Sequence, residues 1–239
     1  MDNIKQQIMV LPNAYSDYSS SRIIGFMINH TLRDFLYLRE GKVEYFAADY
    51  EKGLDLSKHP RPDIILFDKT ETEEEANAAY SMLRTLNKGS RVFMQLDDEY
   101  LDKNELAAYS KVFTYSAEDP LANFFAQKIS PRPEGGFTIE IVFQVNPGGR
   151  KGLSALFMPT LNRALVFKTA INSNDRKDVL HAVKAFVAGS ALSIDSKYIS
   201  KDISEFVFDG YKEKTTENDE KLAREHEAKV LRRKEFDED

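Results

Sequence analysis

The sequence contains no cysteine, and this absence excludes several kinds of chemistry together. Disulfide bonds, thiolate zinc sites and cysteine nucleophiles cannot form. Cysteine-free chains fit a reducing compartment, so we expect a cytoplasmic location. Histidine is also scarce, and its occurrences are too far apart to show the spacing of metal ligands: His30, His59, His181 and His226. We therefore predict no metal site.

Long apolar runs and a surplus of basic residues are missing as well. No apolar run reaches the roughly 18 residues that a membrane-spanning helix needs. The N-terminal residues lack the basic-then-apolar order of a secretory signal. The formal net charge is −6, and acidic and basic residues are mixed along the chain. Because nucleic-acid binders usually present a basic face, the composition predicts neither a membrane span nor a nucleic-acid partner.

The chain is long and apolar enough for one sizeable core, with 42% of its 239 residues hydrophobic. We predict an α/β domain over residues 1–210 and a charged tail over residues 211–239. The tail places acidic and basic residues four positions apart, which is typical of an exposed helix. A solvated or frayed helix, or disorder, is the favoured interpretation. The alternative is a partner-binding helix with these apolar contacts: Leu222, Val230, Leu231 and Phe236.

Short apolar segments alternate with amphipathic ones through the first half of the chain. The apolar segments predict these strands: Ile8–Leu11, Val43–Ala47, Asp63–Asp68, Arg91–Leu96 and Lys111–Tyr115. The amphipathic segments predict a helix from Ile24 to Phe35, one from a capping box at Thr72 to Lys88-Gly89, and a short one over Glu105–Tyr109. This alternation is typical of a mostly parallel, Rossmann-like sheet flanked by helices.

The apolar period changes to two after Pro120, which predicts an antiparallel β-meander. The expected strands are Phe137–Phe143 and Leu153–Met158. Between them, Gly148–Gly152 is glycine-rich and basic, so it could contact an anion, although a hairpin turn is the favoured interpretation. Helices are then expected over three segments: Leu161–Ile171, Arg176–Leu192 and Asp202–Phe208.

Taken in order, these elements resemble the central domain of the Mur ligase family. The resemblance is carried by Pro62–Asp68, Gly89–Asp98, Val112–Ser116, Leu161–Ala164 and the helix pair ending at Leu192-Ser193-Ile194. It implies a P-loop type, Mur-ligase central-domain sheet. The family activates a carboxylate with ATP-Mg and joins it to an amine, so the resemblance also implies an ATP-Mg cofactor.

The loop that would hold the ATP phosphates departs from the family pattern. In Asn13–Ser21, Ala14 and Asp17 stand where the family has glycine, and Tyr18 stands where it has lysine. Two like charges about 4 Å apart cost about 4 kcal/mol at an effective dielectric near 20. That energy corresponds to roughly three decades of affinity. We therefore predict no cofactor, and the residues that remain as candidate ligand contacts in this degenerate loop are Asn13, Ser16, Ser19 and Ser20, although helix capping is an alternative role for the serines.

Other family positions also differ. Arg84 lies near the place of the family's carbamate-bearing lysine, and a guanidinium cannot readily form a carbamate. Lys69 replaces a metal-binding histidine, and Leu161 replaces a nucleotide-contacting one. The family's two flanking domains have no counterpart in the sequence. The candidate cleft residues that remain are Asp68, Arg84, Asp97, Asp98 and Asn162. Asp97 and Asp98 could coordinate a cation, but capping the next helix or facing water is the favoured interpretation, and a helix cap or turn residue is the favoured role of Asn162.

Three functions fit these observations. The leading hypothesis is a non-catalytic Mur-ligase-like protein, without catalytic residues, that binds an unknown protein partner or a small ligand. The alternative is an enzyme, ligase-like or of other chemistry, that uses Asp97, Asp98, Asp68 and Glu71 in a cleft at the carboxyl ends of the strands. The third is a self-associating scaffold that assembles through its charged tail.

Overall fold

A computed structural model describes residues 7–12, 20, 22–28, 43–48, 62–84, 86, 89–145 and 165–211. The described residues form one sheet of eight strands in the order β2-β1-β3-β4-β5-β6-β7-β8. The strands are β1 Gln7–Pro12, β2 Val43–Ala48, β3 Ile64–Leu66, β4 Arg91–Gln95, β5 Lys111–Tyr115, β6 Phe124–Pro131, β7 Phe137–Phe143 and β8 Leu165–Ile171.

The sheet is parallel from β2 through β5 and antiparallel from β6 to β8. A single parallel pair, Tyr115 with Phe124, joins the two parts. The predicted fold class, a mostly parallel α/β sheet with an antiparallel meander, is confirmed. The connection from β6 to β7 is a tight turn in which Gly135 and Gly136 both have positive φ.

Helices cover both faces of the sheet. They are α1 (residues 20 and 22–28), α2 (Glu73–Leu83), α3 (Lys103–Leu106), α4 (Asp178–Ala191) and α5 (Ser196–Glu205). Successive strand residues point to opposite faces, so Ile65 and Phe67 pack on α2 and α3, whereas Ile64 and Leu66 pack on α1, α4 and α5. This explains why β3 reads as a continuous apolar run, because both of its faces are covered.

The predicted helix over Leu161–Ile171 is wrong, because Leu165–Ile171 is the strand β8. Each of its residues pairs with β7, from Leu165 opposite Phe143 to Ile171 opposite Phe137. The segment is rich in β-branched and aromatic residues, which favour a strand. A short apolar segment does not reveal its own period, so the partner strand decides its structure.

Three helix boundaries also differ from the predictions. Helix α2 ends at Leu83 with Arg84 as its C-cap, five residues before Gly89. Helix α3 begins at Lys103 because the Asp102 side chain accepts hydrogen bonds from the amides of Asn104 and Glu105. Helix α5 begins at Ser196 after the Asp195 N-cap and ends at Glu205. The predicted strand Leu153–Met158, the Gly148–Gly152 turn and the tail beyond Tyr211 lie outside the described residues.

We expect Gly136→Ala to destabilise the β6–β7 turn by about 2–3 kcal/mol. Gly136 has φ of 73°, and a Cβ atom there would lie 2.2 Å from the carbonyl oxygen of Ile171. Gly210→Ala is the matched control, since Gly210 has φ of 77° and open space around the same position. It should show only the backbone cost of about 1–2 kcal/mol. Urea unfolding measures both variants, and equal losses would contradict the role of the close approach to Ile171.

Candidate functional site

The carboxyl ends of β3 and β4 meet at one edge of the sheet, as parallel neighbours must. Asp68, Lys69 and Thr70 follow β3, and Asp97 and Asp98 follow β4. The two segments are joined by side-chain bonds, because Thr70 contacts Asp98 and Lys69 contacts Asp97. The structure thus brings three of the predicted cleft carboxylates to the same edge, where open α/β sheets usually bind ligands.

The Asp98 carboxylate accepts four hydrogen bonds from the surrounding chain. It accepts from the Thr70 amide at 2.7 Å and the Thr70 hydroxyl at 2.7 Å. It also accepts from the amides of Tyr100 and Leu101, both at 2.9 Å. Thr70 is fully buried. Asp98 therefore ties the segment after β3 to the segment after β4 and closes the turn toward α3.

Asp97 faces solvent and has weaker partners. Its side chain is 61% exposed, and Lys69 Nζ lies 3.5 Å from its Oδ2. Partial burial disfavours its charged form, but hydrogen bonds from Gln95 and its own amide, together with the Lys69 charge, outweigh that effect and lower the pKa of the carboxyl. Asp97 is thus an ionised surface group at neutral pH.

Asp68 contacts a lysine that lies within the apolar core. The Nζ of Lys184, on α4, lies against the Asp68 carboxylate, and the two side chains are only 3% and 16% exposed. The Tyr115 ring lies 6.0 Å from the same Nζ, and the Tyr115 hydroxyl donates to the Phe67 carbonyl at 2.5 Å. Burial lowers the pKa of Lys184 from 10.5 to about 7. The end of β3 is therefore attached to α4 through a polar contact inside the core.

One turn earlier on α4, His181 contacts the start of α1. Ser20 Oγ and His181 Nδ1 are 2.6 Å apart, and Ser20 is 2% exposed. His181 and Lys184 are three residues apart and so lie on one side of the helix. Helix α4 therefore contacts both Ser20 of the candidate phosphate loop and the carboxyl end of β3.

Within the residues that the structure describes, no group of three histidine, aspartate or glutamate side chains is arranged to hold a metal ion. None of the described helices is long and apolar enough to cross a membrane.

No family model and no curated protein sequence matches the chain. Several solved ligases share the fold. MurF from Acinetobacter baumannii superposes with a TM-score of 0.58 at 12% identity, over 86% of this chain and 47% of MurF. MurC from Thermotoga maritima gives 0.55 at 13% identity, over 84% of this chain and 45% of MurC. The UDP-N-acetylmuramate:L-alanyl-gamma-D-glutamyl-meso-diaminopimelate ligase of Neisseria meningitides gives 0.58 at 7% identity, over 85% of this chain and 67% of that ligase. The chain has a Mur ligase-like fold. It spans about half the length of MurF and MurC.

Not every candidate residue lies at the carboxyl edge of the Mur ligase-like sheet. Arg84 is exposed at the C-terminal end of α2, whereas the segment after Asp68 leads into the N-terminal end of that helix. The 11 residues of α2 separate the two ends by about 16 Å. Of the loop candidates, Ser20 is described and contacts His181. Asn13, Ser16, Ser19 and Asn162 lie outside the described residues.

Sequence reasoning missed Lys184 and His181 as components of this edge. The signal for Lys184 was present, because it stands alone in the apolar stretch Ala182–Ala188. A charged side chain at such a position needs a partner when it is buried. The partner could not be read from the sequence, since Asp68 is more than a hundred residues away.

Proposed function

We propose that this protein is a non-catalytic, Mur ligase-like protein. It acts by binding a protein partner or a small ligand, and it does not catalyse ATP-dependent ligation. The observation that supports the proposal is that the carboxylates at the strand ends already have bonding partners within the chain. Each of them is already bonded within the chain: Asp68 to Lys184, Asp97 to Lys69 and Gln95, and Asp98 to Thr70, Tyr100 and Leu101.

These internal bonds weigh against a site for ATP-Mg. Magnesium in nucleotide sites is bound through one or two carboxylates together with the phosphates. To take that role, Asp98 would have to give up bonds to the buried Thr70, whose polar groups would then lack partners. The Lys69 ammonium lies 3.5 Å from Oδ2 of Asp97, so this carboxylate already has a cationic neighbour.

The sequence of the Asn13–Ser21 loop supports the same proposal. Close approach of a phosphate needs glycine, and charge neutralisation needs a cation, but the loop has Ala14, Asp17 and Tyr18 at the corresponding positions. We therefore propose that no nucleotide cofactor is used. We also propose a cytoplasmic location, which the absence of cysteine supports.

The alternative enzyme would use Asp68, Asp97 and Asp98 as acid, base or ligand. It has less support, since Asp98 is held by four hydrogen bonds and Asp97 is a solvated surface group. A catalytic carboxyl group usually has a pKa raised toward neutrality. The pKa of Asp97 is shifted in the opposite direction.

A thermal-shift titration with ATP, with and without Mg²⁺, tests the proposal. Ligand at ten times its Kd should stabilise a binding protein by about 1.4 kcal/mol. We expect no Mg²⁺-dependent shift for this protein at millimolar ATP. MurF from Acinetobacter baumannii in the same buffer is the positive control. A saturable, Mg²⁺-dependent shift of this protein would overturn the non-catalytic proposal.

A further inference from the structure

We draw no further inference here: the strongest candidate, the outer edge of β8 where the side chains of Leu165, Val166 and Val207 are exposed, carries nothing because nothing in the residues that the structure describes shows what covers it.

Discussion

Replacing Asp98 with alanine is expected to lower the free energy of unfolding by about 4 kcal/mol, because hydrogen bonds to a charged group contribute about 1.5–3 kcal/mol each and are not fully additive. The substitution removes the acceptor for four donors, which are the amide and hydroxyl of Thr70 and the amides of Tyr100 and Leu101. Thr70 is fully buried, so its groups would be left without a partner or would have to admit water. Urea unfolding at neutral pH measures the loss.

Asp97→Ala provides the matched control one residue earlier. Asp97 has the same side chain at the same edge of the sheet, but it is 61% exposed and its contacts are to Lys69 and Gln95. Exposed pairs of this kind contribute about 0–1 kcal/mol, so the control variant should stay close to the unmodified chain. If both variants lost the same stability, the structural role assigned to Asp98 would be wrong. That result would also reopen the alternative in which both aspartates act on a ligand.

The contrast between Asp97 and Asp98 shows how far the sequence could predict this site. The apolar runs before Asp68 and before Asp97-Asp98 each predicted a buried strand, and the parallel sheet predicted that the ends of these two strands share one edge. Both predictions are confirmed. The sequence could not say which aspartate turns inward, since that depends on where Thr70 lies after β3. The alternative for the pair was to cap the next helix or to face water. Helix α3 is capped by Asp102, Asp98 accepts the amides of the turn before it, and Asp97 faces solvent.

Elsewhere too, features set by residues close in sequence were predicted correctly, whereas contacts between distant residues were not. Thr72 caps α2 as predicted, because its hydroxyl accepts from the Glu75 amide within the same turn. The contact of Ser20 with His181 spans 161 positions, and no local pattern indicates it. Strand β6 had no predicted counterpart, and β8 was predicted as a helix. Both belong to the antiparallel part, where pairing with β7 decides the structure of segments that lack a clear period.

A buried side chain, Asn123, connects the parallel and antiparallel parts of the sheet. Its Oδ1 accepts from the Thr114 amide at 2.9 Å, and its Nδ2 donates to the carbonyls of Gln144 and Val145 at 2.9 Å and 3.2 Å. Asn123 therefore bonds β5 on one side and the end of β7 on the other. Only the Tyr115–Phe124 pair joins β5 to β6 in the ladder, and the amides of Ser116 and Ala126 donate to the carbonyls of Phe124 and Ala117, so the Asn123 side chain adds to a small number of main-chain bonds.

We expect Asn123→Ala to destabilise the protein by about 3–4 kcal/mol, since each buried group left unsatisfied costs about 1–3 kcal/mol. The Thr114 amide lies on a residue with no exposed surface, so water cannot easily replace the lost acceptor. Calorimetric or urea unfolding measures the effect. The loss should be seen first as exchange of amide protons in β6 and β7, because their attachment to β5 is the part that weakens.

Gln144→Ala is the matched control for Asn123→Ala, because it tests whether the burial of a side-chain amide or the number of its hydrogen bonds determines the loss of stability. The Gln144 side chain also donates to two main-chain carbonyls, those of Pro120 at 2.6 Å and Ala122 at 2.9 Å. It is only partly buried, so water can reach these carbonyls when the side chain is removed, and the expected loss is about 1 kcal/mol. A loss as large as that of Asn123→Ala would contradict the argument from burial. A small loss for both would mean that apolar packing of Phe124 and Phe143, whose rings stack at 4.6 Å, is sufficient to hold the junction.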